Sequence, residues 1–242
     1  MDIEVIEQKN NELVFSISSI NEVTANTLRR LIISEVPTLA IETVIFNKNG
    51  SALYDEIIAH RLGLITIKTD LKSYNLYNPE KKKSPSNQLI LTLDAKGPST
   101  VLASDLKSQD PKCVPVYPET IIVELLKDQK LTLEAEAILE RGKVHMKFAP
   151  GLVYYKNYPE ISASNSETLI KKLPENLFKL EGKKIVIKDL NKIDIAEKYL
   201  LDNKAEIEYK KDKFIFFIES WGQLTPKEML NKALEIWEDK LD

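Results

Sequence analysis

The chain has 242 residues, with 34 Lys and Arg against 37 Asp and Glu and a formal net charge of −3 at pH 7. That length buries a core without disulfide staples, and 43% apolar with 29% charged residues is the balance of a folded globular chain. Near-neutrality excludes a protein whose main task is gripping a nucleic-acid backbone over a broad basic face. The single cysteine, Cys113, excludes an internal disulfide framework and any cysteine-only zinc or iron–sulfur site within the chain. The opening MDIEVIEQKN lacks the charged-then-apolar profile of a secretion signal, and no run of about 18 apolar residues exists. These features lead to the expectation of a cytoplasmic protein.

Residues 3–20 alternate as strands, with Leu13, Phe15 and Ile17 on one face. Asn21 then offers an N-cap with Glu22 in the first turn. Ala25, Leu28, Ile32 and Val36 recur at helical spacing, with Val23 and Leu31 beside them, and Pro37 ends that helix near Val36. Residues 40–46 read as a buried strand. A second, short helix is expected from about Tyr54, with Ile57, Ile58 and Leu62 as its apolar face and Gly63 as its C′ residue. Residues 69–88 read as a loop, 88–95 as a strand and 96–120 as irregular. Strands follow at 121–126 and 130–139. In the second, Leu131, Leu133, Ala135 and Ala137 face one way, and Thr132, Glu134, Glu136 and Ile138 the other.

From about residue 159 the texture becomes polar and rich in Lys and Glu. A helix is expected over 166–173, a hairpin around EGKK, and a helix over 193–202 with Ile193, Ala196, Tyr199 and Leu200 in phase. Residues 213–220 form a strong strand. Thr225, Pro226 and Glu228 spell a capping box with proline at N1. The last helix then carries Leu230, Ala233, Leu234, Trp237 and Leu241 as an apolar stripe. The first and last helices are amphipathic elements at opposite ends of the chain. Each either closes its own core or joins a bundle that a partner completes.

Histidine-based chemistry is thinly supplied, because His60 and His145 are the only two histidines. Glu56 and His60, at i and i+4, could share a proton or a metal beside Asp55 and Arg61. The plainer reading is a helix with acids in its first turn and cations in its last. Arg29 and Arg30 suit a phosphate or a partner's carboxylate, or a solvated helix face. Asn26 lies one turn from Arg30 and must satisfy its amide. Lys81, Lys82 and Lys83 read as a solvated loop, with nucleic-acid contact as the alternative.

The ordered string TANTLRRLIISEVPTLAIETVIFNKNGSALYDEIIAHRLGLITI resembles the D-subunit family of archaeal DNA-directed RNA polymerases, which is similar to the third-largest eukaryotic polymerase II subunit and to the bacterial alpha N-terminal domain. The segments SQDPKCVPVYPETIIVELLKDQKLTLEAEAILERGKVHMKFAP and FIFFIESWGQLTPKEMLNKALEIW extend the likeness over nearly the whole chain. The resemblance implies an α+β fold with three parts. These are a discontinuous dimerisation domain (1–40 and 209–242), an inserted β-rich domain (41–158) and a ferredoxin-like domain (159–208).

It also implies a non-catalytic assembly platform that pairs with subunit L and docks subunits N and P and the large B subunit. Contact with DNA would be at most indirect. Its interface residues would be Asn26, Arg29, Arg30, Asp55, Glu56, His60, Arg61, Leu230, Leu234 and Trp237. Many family members carry cysteines in the loop that here reads SYNLYNPEKKKSPSN, and several carry an iron–sulfur cluster in the ferredoxin-like domain. With Cys113 alone, neither zinc nor cluster is expected. The alternatives are a self-pairing homodimeric scaffold and a metal-dependent enzyme using Glu56 and His60.

Overall fold

The computed structural model describes residues 2–80, 84–162, 166–182, 184–203 and 205–241. Lys81, Lys82 and Lys83 lie outside them. In chain order the elements are β1 (Asp2–Gln8), β2 (Glu12–Ser18), α1 (Glu22–Ser34), β3 (Pro37–Asn49), α2 (Asp55–Gly63), β4 (Leu89–Lys96) and β5 (Ser99–Leu102). There follow β6 (Lys107–Ser108), β7 (Ile121–Leu125), β8 (Lys130–Arg141), β9 (Gly151–Ser162), α3 (Ser166–Ile170), β10 (Phe178–Glu181), β11 (Lys184–Ile187), α4 (Ile193–Asp202), β12 (Glu206–Ser220) and α5 (Pro226–Asp239). The fold is mixed α+β and mostly sheet. No described helix is long and apolar enough to cross a membrane.

The chain forms two compact units. One comprises Met1–Ile6, Phe15–Ala25 and Tyr155–Phe216; the other comprises Glu7–Val14, Asn26–Tyr154 and Phe217–Asp242. They cut the chain differently from the three-part division expected from the sequence.

In the first unit the strand order is β1-β2-β12-β9-β11-β10. The hairpin expected around EGKK is present. β10 and β11 pair antiparallel, with Phe178 opposite Ile187 and Glu181 opposite Lys184, and Gly182 supplies the left-handed turn at φ +62°. Aromatic rings fill the sheet: Phe15 stacks on Phe216 at 5.2 Å, and Tyr155 meets Phe214 edge-on at 5.5 Å. α4 has the expected bounds, and Ile193, Ala196 and Leu200 are buried; Tyr199, in phase on paper, is exposed. β2 departs from simple alternation, since every residue from Leu13 to Ile17, Ser16 included, is buried. An inner strand covered on both faces needs no polar side.

In the second unit the main sheet runs β3-β8-β4-β6, and β5 pairs with β7 separately. β8 is its spine. Leu131, Leu133, Ala135 and Ala137 face one core as expected, and Leu89, Leu91 and Leu93 stand opposite the last three in the β4 register. The other face of β8 is not simply polar: Ile138 packs with Ala40 and Phe148 in a small second cluster. β3 is longer than expected, and its register against β8 shifts between Ile41 and Thr43 and between Phe46 and Lys48. The stretch expected to be irregular contains β5 and β6. Gly97 precedes β5 because the chain passes so close there that a Cβ would sit 2.0 Å from the Leu126 carbonyl oxygen.

The helices follow their caps. Asn21 Oδ1 accepts from the Thr24 amide at 2.8 Å and starts α1. The helix ends at Ser34, two residues before the expected stop, and Pro37 opens β3. In α5 the Thr225 hydroxyl oxygen accepts from the Glu228 amide, and Glu228 Oε2 accepts from the Thr225 amide at 2.8 Å. α2 ends differently from expectation. Gly63 is its last helical residue and Leu64 caps it in right-handed geometry, so no left-handed C′ glycine is used.

Candidate interaction surface

Ala25, Leu28, Leu31, Ile32 and Val36 are buried within the chain itself. Full burial of each larger side chain contributes about 1.5–3 kcal/mol. Val23, expected beside them, is exposed. On α5, Met229, Leu230 and Ala233 are buried, Leu234, Ile236 and Trp237 are half-buried, and Leu241 is exposed. The apolar surface of these helices is therefore largely covered from within. The uncovered remainder is Val23 at the start of α1 and the apolar residues toward the C-terminal end of α5. Met229, absent from the stripe expected on this helix, is fully buried.

The polar residues of α1 pair differently from their spacing on paper. Asn26 Oδ1 accepts from Arg29 Nη2 at 2.9 Å and Arg29 Nε at 3.1 Å. This satisfies the amide oxygen within the helix and leaves Arg30, not Arg29, as the exposed arginine. On α2, Asp55 Oδ1 accepts from Asn49 Nδ2 at 2.7 Å, tying the helix start to the end of β3. Arg61 Nη1 donates to the Ile122 carbonyl at 2.8 Å and ties the helix end to β7. Glu56 and His60 are both exposed, and no hydrogen bond or ion pair joins them. Among the described residues no three His, Cys, Asp or Glu side chains are grouped to hold a metal. His145 is engaged elsewhere, its Nδ1 accepting from the Lys147 amide.

The side of α2 turned from the core mixes exposed Asp55, Glu56, His60 and Arg61 with exposed Ile57, and apolar Tyr54 and Leu64 flank the helix at its two ends. Tyr54, Ile57 and Leu64 are 77%, 43% and 56% exposed. Only Ile57 of the three lies within the helix; Tyr54 is its extended N-cap and Leu64 its C-cap, and with Arg61 these exposed residues make up the outer stripe of α2 and its ends. Ile58 and Leu62 alone face inward, so Ile57, expected in the core, belongs to the outer stripe. β7, beside α2, adds exposed Ile121. The expected apolar face of this helix was in effect two faces, a pattern that spacing alone does not separate.

Sequence reasoning missed the corner built on Glu35. Its side chain is 14% exposed and takes three cations: Arg141 Nη1 at 3.1 Å, Lys143 Nζ at 3.2 Å and Lys240 Nζ at 3.1 Å. Burial pushes this carboxyl up, but the ammonium groups of Lys240 and Lys143 outweigh it and hold the group below the usual carboxylate range. No basic residue in the last turn of α1 answers the helix dipole, so partners from distant segments do so.

Cys113 is fully buried in the second unit's core. Burial, helped by the Asp110 carboxylate, pushes its thiol up to about 11. One buried, protonated thiol does not fit a cysteine-ligated zinc or iron–sulfur group, and the sequence has no other cysteine.

Residues 39–151 match the RNA polymerase Rpb3/RpoA insert domain family. Over the whole chain, the sequence is similar to DNA-directed RNA polymerase subunit Rpo3 of Methanothermobacter thermautotrophicus, at 36% identity across 100% of this chain and 97% of that protein. The Rpo3 subunits of Pyrococcus furiosus and Archaeoglobus fulgidus are 35% and 32% identical, each across 100% of this chain and 95% of the relative.

Proposed function

This chain belongs to the archaeal Rpo3 family of DNA-directed RNA polymerase subunits, and from that premise we propose that it is a non-catalytic platform on which other subunits of the enzyme assemble. Membership places it in transcription, in a complex with other polymerase subunits. In this reading the terminal segments, 1–40 and 209–242, act as a dimerisation domain that pairs with subunit L. Residues 41–158 form the inserted β-rich domain, and residues 159–208 are a ferredoxin-like domain that folds by packing alone, without zinc or cluster. The N, P and large B subunits dock on the resulting pair, and the protein works in the cytoplasm.

The observation that carries the reading is the outer stripe of α2. Tyr54, Ile57 and Leu64 lie exposed around Arg61, with Ile121 alongside. Aromatic, aliphatic and arginine side chains grouped in this way suit the centre of a protein interface. The stripe makes Asp55 and Arg61 positioning residues that fix α2 in place. Arg30 and the half-buried Leu234 and Trp237 serve the dimer contact, while Asn26, Arg29 and Leu230 support it from within the chain. The enzyme reading draws no support from Glu56 and His60, which are exposed and do not meet.

Co-expression with subunit L, read by light scattering, tests the pairing. The expected result is a one-to-one heterodimer that replaces self-associated material. A lone chain that stays a well-behaved homodimer in the presence of L would instead favour the self-pairing scaffold.

A further inference from the structure

In the second unit, beside the Glu35 corner, lies a cavity of about 400 Å³. Its apolar lining includes the partly exposed Leu71, Leu76 and Ile236, over buried Leu139. Its charged lining is Glu35, Arg141, Lys232, Asp239 and Lys240. Lys232 is held by Glu235 at 2.8 Å. That leaves Arg141, Lys240 and the adjoining Lys143 against the carboxylates of Glu35 and Asp239.

Donors are in surplus as well as charge. The two oxygens of Glu35 already serve all three cations. Arg141 uses only Nη1 of its guanidinium, so its Nε and Nη2 have no protein acceptor among the described residues. Its side chain is 32% exposed. A planar guanidinium with a free edge is matched by a two-oxygen acceptor. Apolar walls next to that edge are matched by an apolar side chain adjoining the acceptor.

We propose that this cavity seats a segment of another polymerase subunit in which an aspartate or glutamate adjoins a large apolar residue, the carboxylate on the free edge of Arg141 and the apolar side chain among Leu71, Leu76 and Ile236. The proposal rests on the platform reading and adds to it a second docking point with stated chemistry. A phosphate-bearing ligand fits the cations but leaves the apolar wall unused, so the protein segment is the better match.

The test uses the assembled polymerase. A photo-crosslinking amino acid replaces the exposed Asn75 at the cavity, and in a parallel preparation it replaces Ile57 on α2. Crosslinked peptides are then mapped by mass. The expected result at Asn75 is a crosslink to another subunit, within a few residues of an acidic–apolar pair. Arg141→Gln should lower that yield about tenfold, Arg141→Lys less so, with the Ile57 crosslink unchanged in both. Crosslinks from Asn75 that stay within the chain or reach a segment without an acidic residue overturn the proposal, as does a yield indifferent to Arg141→Gln. In each of those cases an intact Ile57 crosslink leaves the platform reading standing. Loss of intersubunit crosslinks at both positions sinks both.

Discussion

The corner around Glu35 and the outer face of α2 both collect charged side chains near a helix end, yet they are held in opposite ways. Glu35 is nearly enclosed and shared by three cations from two distant segments, Arg141 and Lys143 at the end of β8 and Lys240 after α5. Glu56 and His60 sit one helical turn apart, both exposed, and no hydrogen bond or ion pair joins them. The neighbouring pair looked like chemistry because the spacing was right. The corner went unseen because Arg141 and Lys143 lie 106 and 108 residues from Glu35. Proximity in sequence is cheap on a helix surface, whereas a shared carboxylate between distant segments needs the whole unit to be folded. The corner is therefore a structural clamp. In the proposed reading the α2 face acts through its exposed apolar residues and not through its ionisable ones.

The largest effect that would break this contrast is on assembly. Replacing Tyr54 and Ile57 together by Asp should weaken incorporation into polymerase by about 30-fold or more, the scale of losing an interface hot spot. The chain's own urea midpoint should move little, because both side chains are already exposed. Pull-down from reconstituted subunits reads the first quantity and denaturation reads the second. A variant that assembles normally would remove the α2 stripe from the account.

Next in size is the clamp. Glu35→Gln should cost about 1–2 kcal/mol of stability at pH 7, between the values for exposed and enclosed charged hydrogen bonds. The pH dependence follows from the sign of the shift. The folded carboxyl titrates below its unfolded value, so its contribution is complete above about 4.5 and disappears as pH falls through the lower folded value. Arg141, Lys143 and Lys240 stay charged throughout that range. Denaturation curves of the native protein and Glu35→Gln should therefore converge on acidification and separate above pH 4.5. A gap that persists at low pH would mean the residue acts through packing instead.

The smallest expected effect is at the pair that first invited a catalytic reading. Glu56→Ala and His60→Ala should each stay within about 0.5 kcal/mol of the parent in stability. RNA synthesis by polymerase assembled with either variant should keep its turnover on a DNA template. A large loss of turnover with normal assembly would restore chemistry to these residues.

Much of the fold was legible because local signals stated it outright. The Asn21 cap, the Thr225–Glu228 capping box and the EGKK hairpin stand as read, and so does the alternation along β8 from Leu131 to Ala135, beyond which Glu136 and Ile138 are buried as well. What failed had a common cause. β2 was expected to show one apolar face and proved to be covered on both; β5 and β6 hid in a stretch punctuated by Gly97, Pro98 and Pro111. In α2 the inward and outward apolar faces were merged, because Ile57 and Ile58 are adjacent and only the packed sheet decides which one turns away. The same limit applied to the candidate site. Arg30 and Arg61 could be singled out by residue type, but that Asn26 binds Arg29 and that Glu35 is the hub depends on contacts no spacing rule encodes.

The central claim is that this polypeptide acts as a part of a larger enzyme and not alone. The most direct measurement is the native mass of the tagged chain purified from its own cells, with templated RNA synthesis assayed on the same fraction. The account predicts a large assembly that contains this chain in fixed proportion to the catalytic subunits and makes RNA. A chain recovered wholly as a 27.6 kDa species, with the RNA-synthesising fraction free of it, would contradict the account.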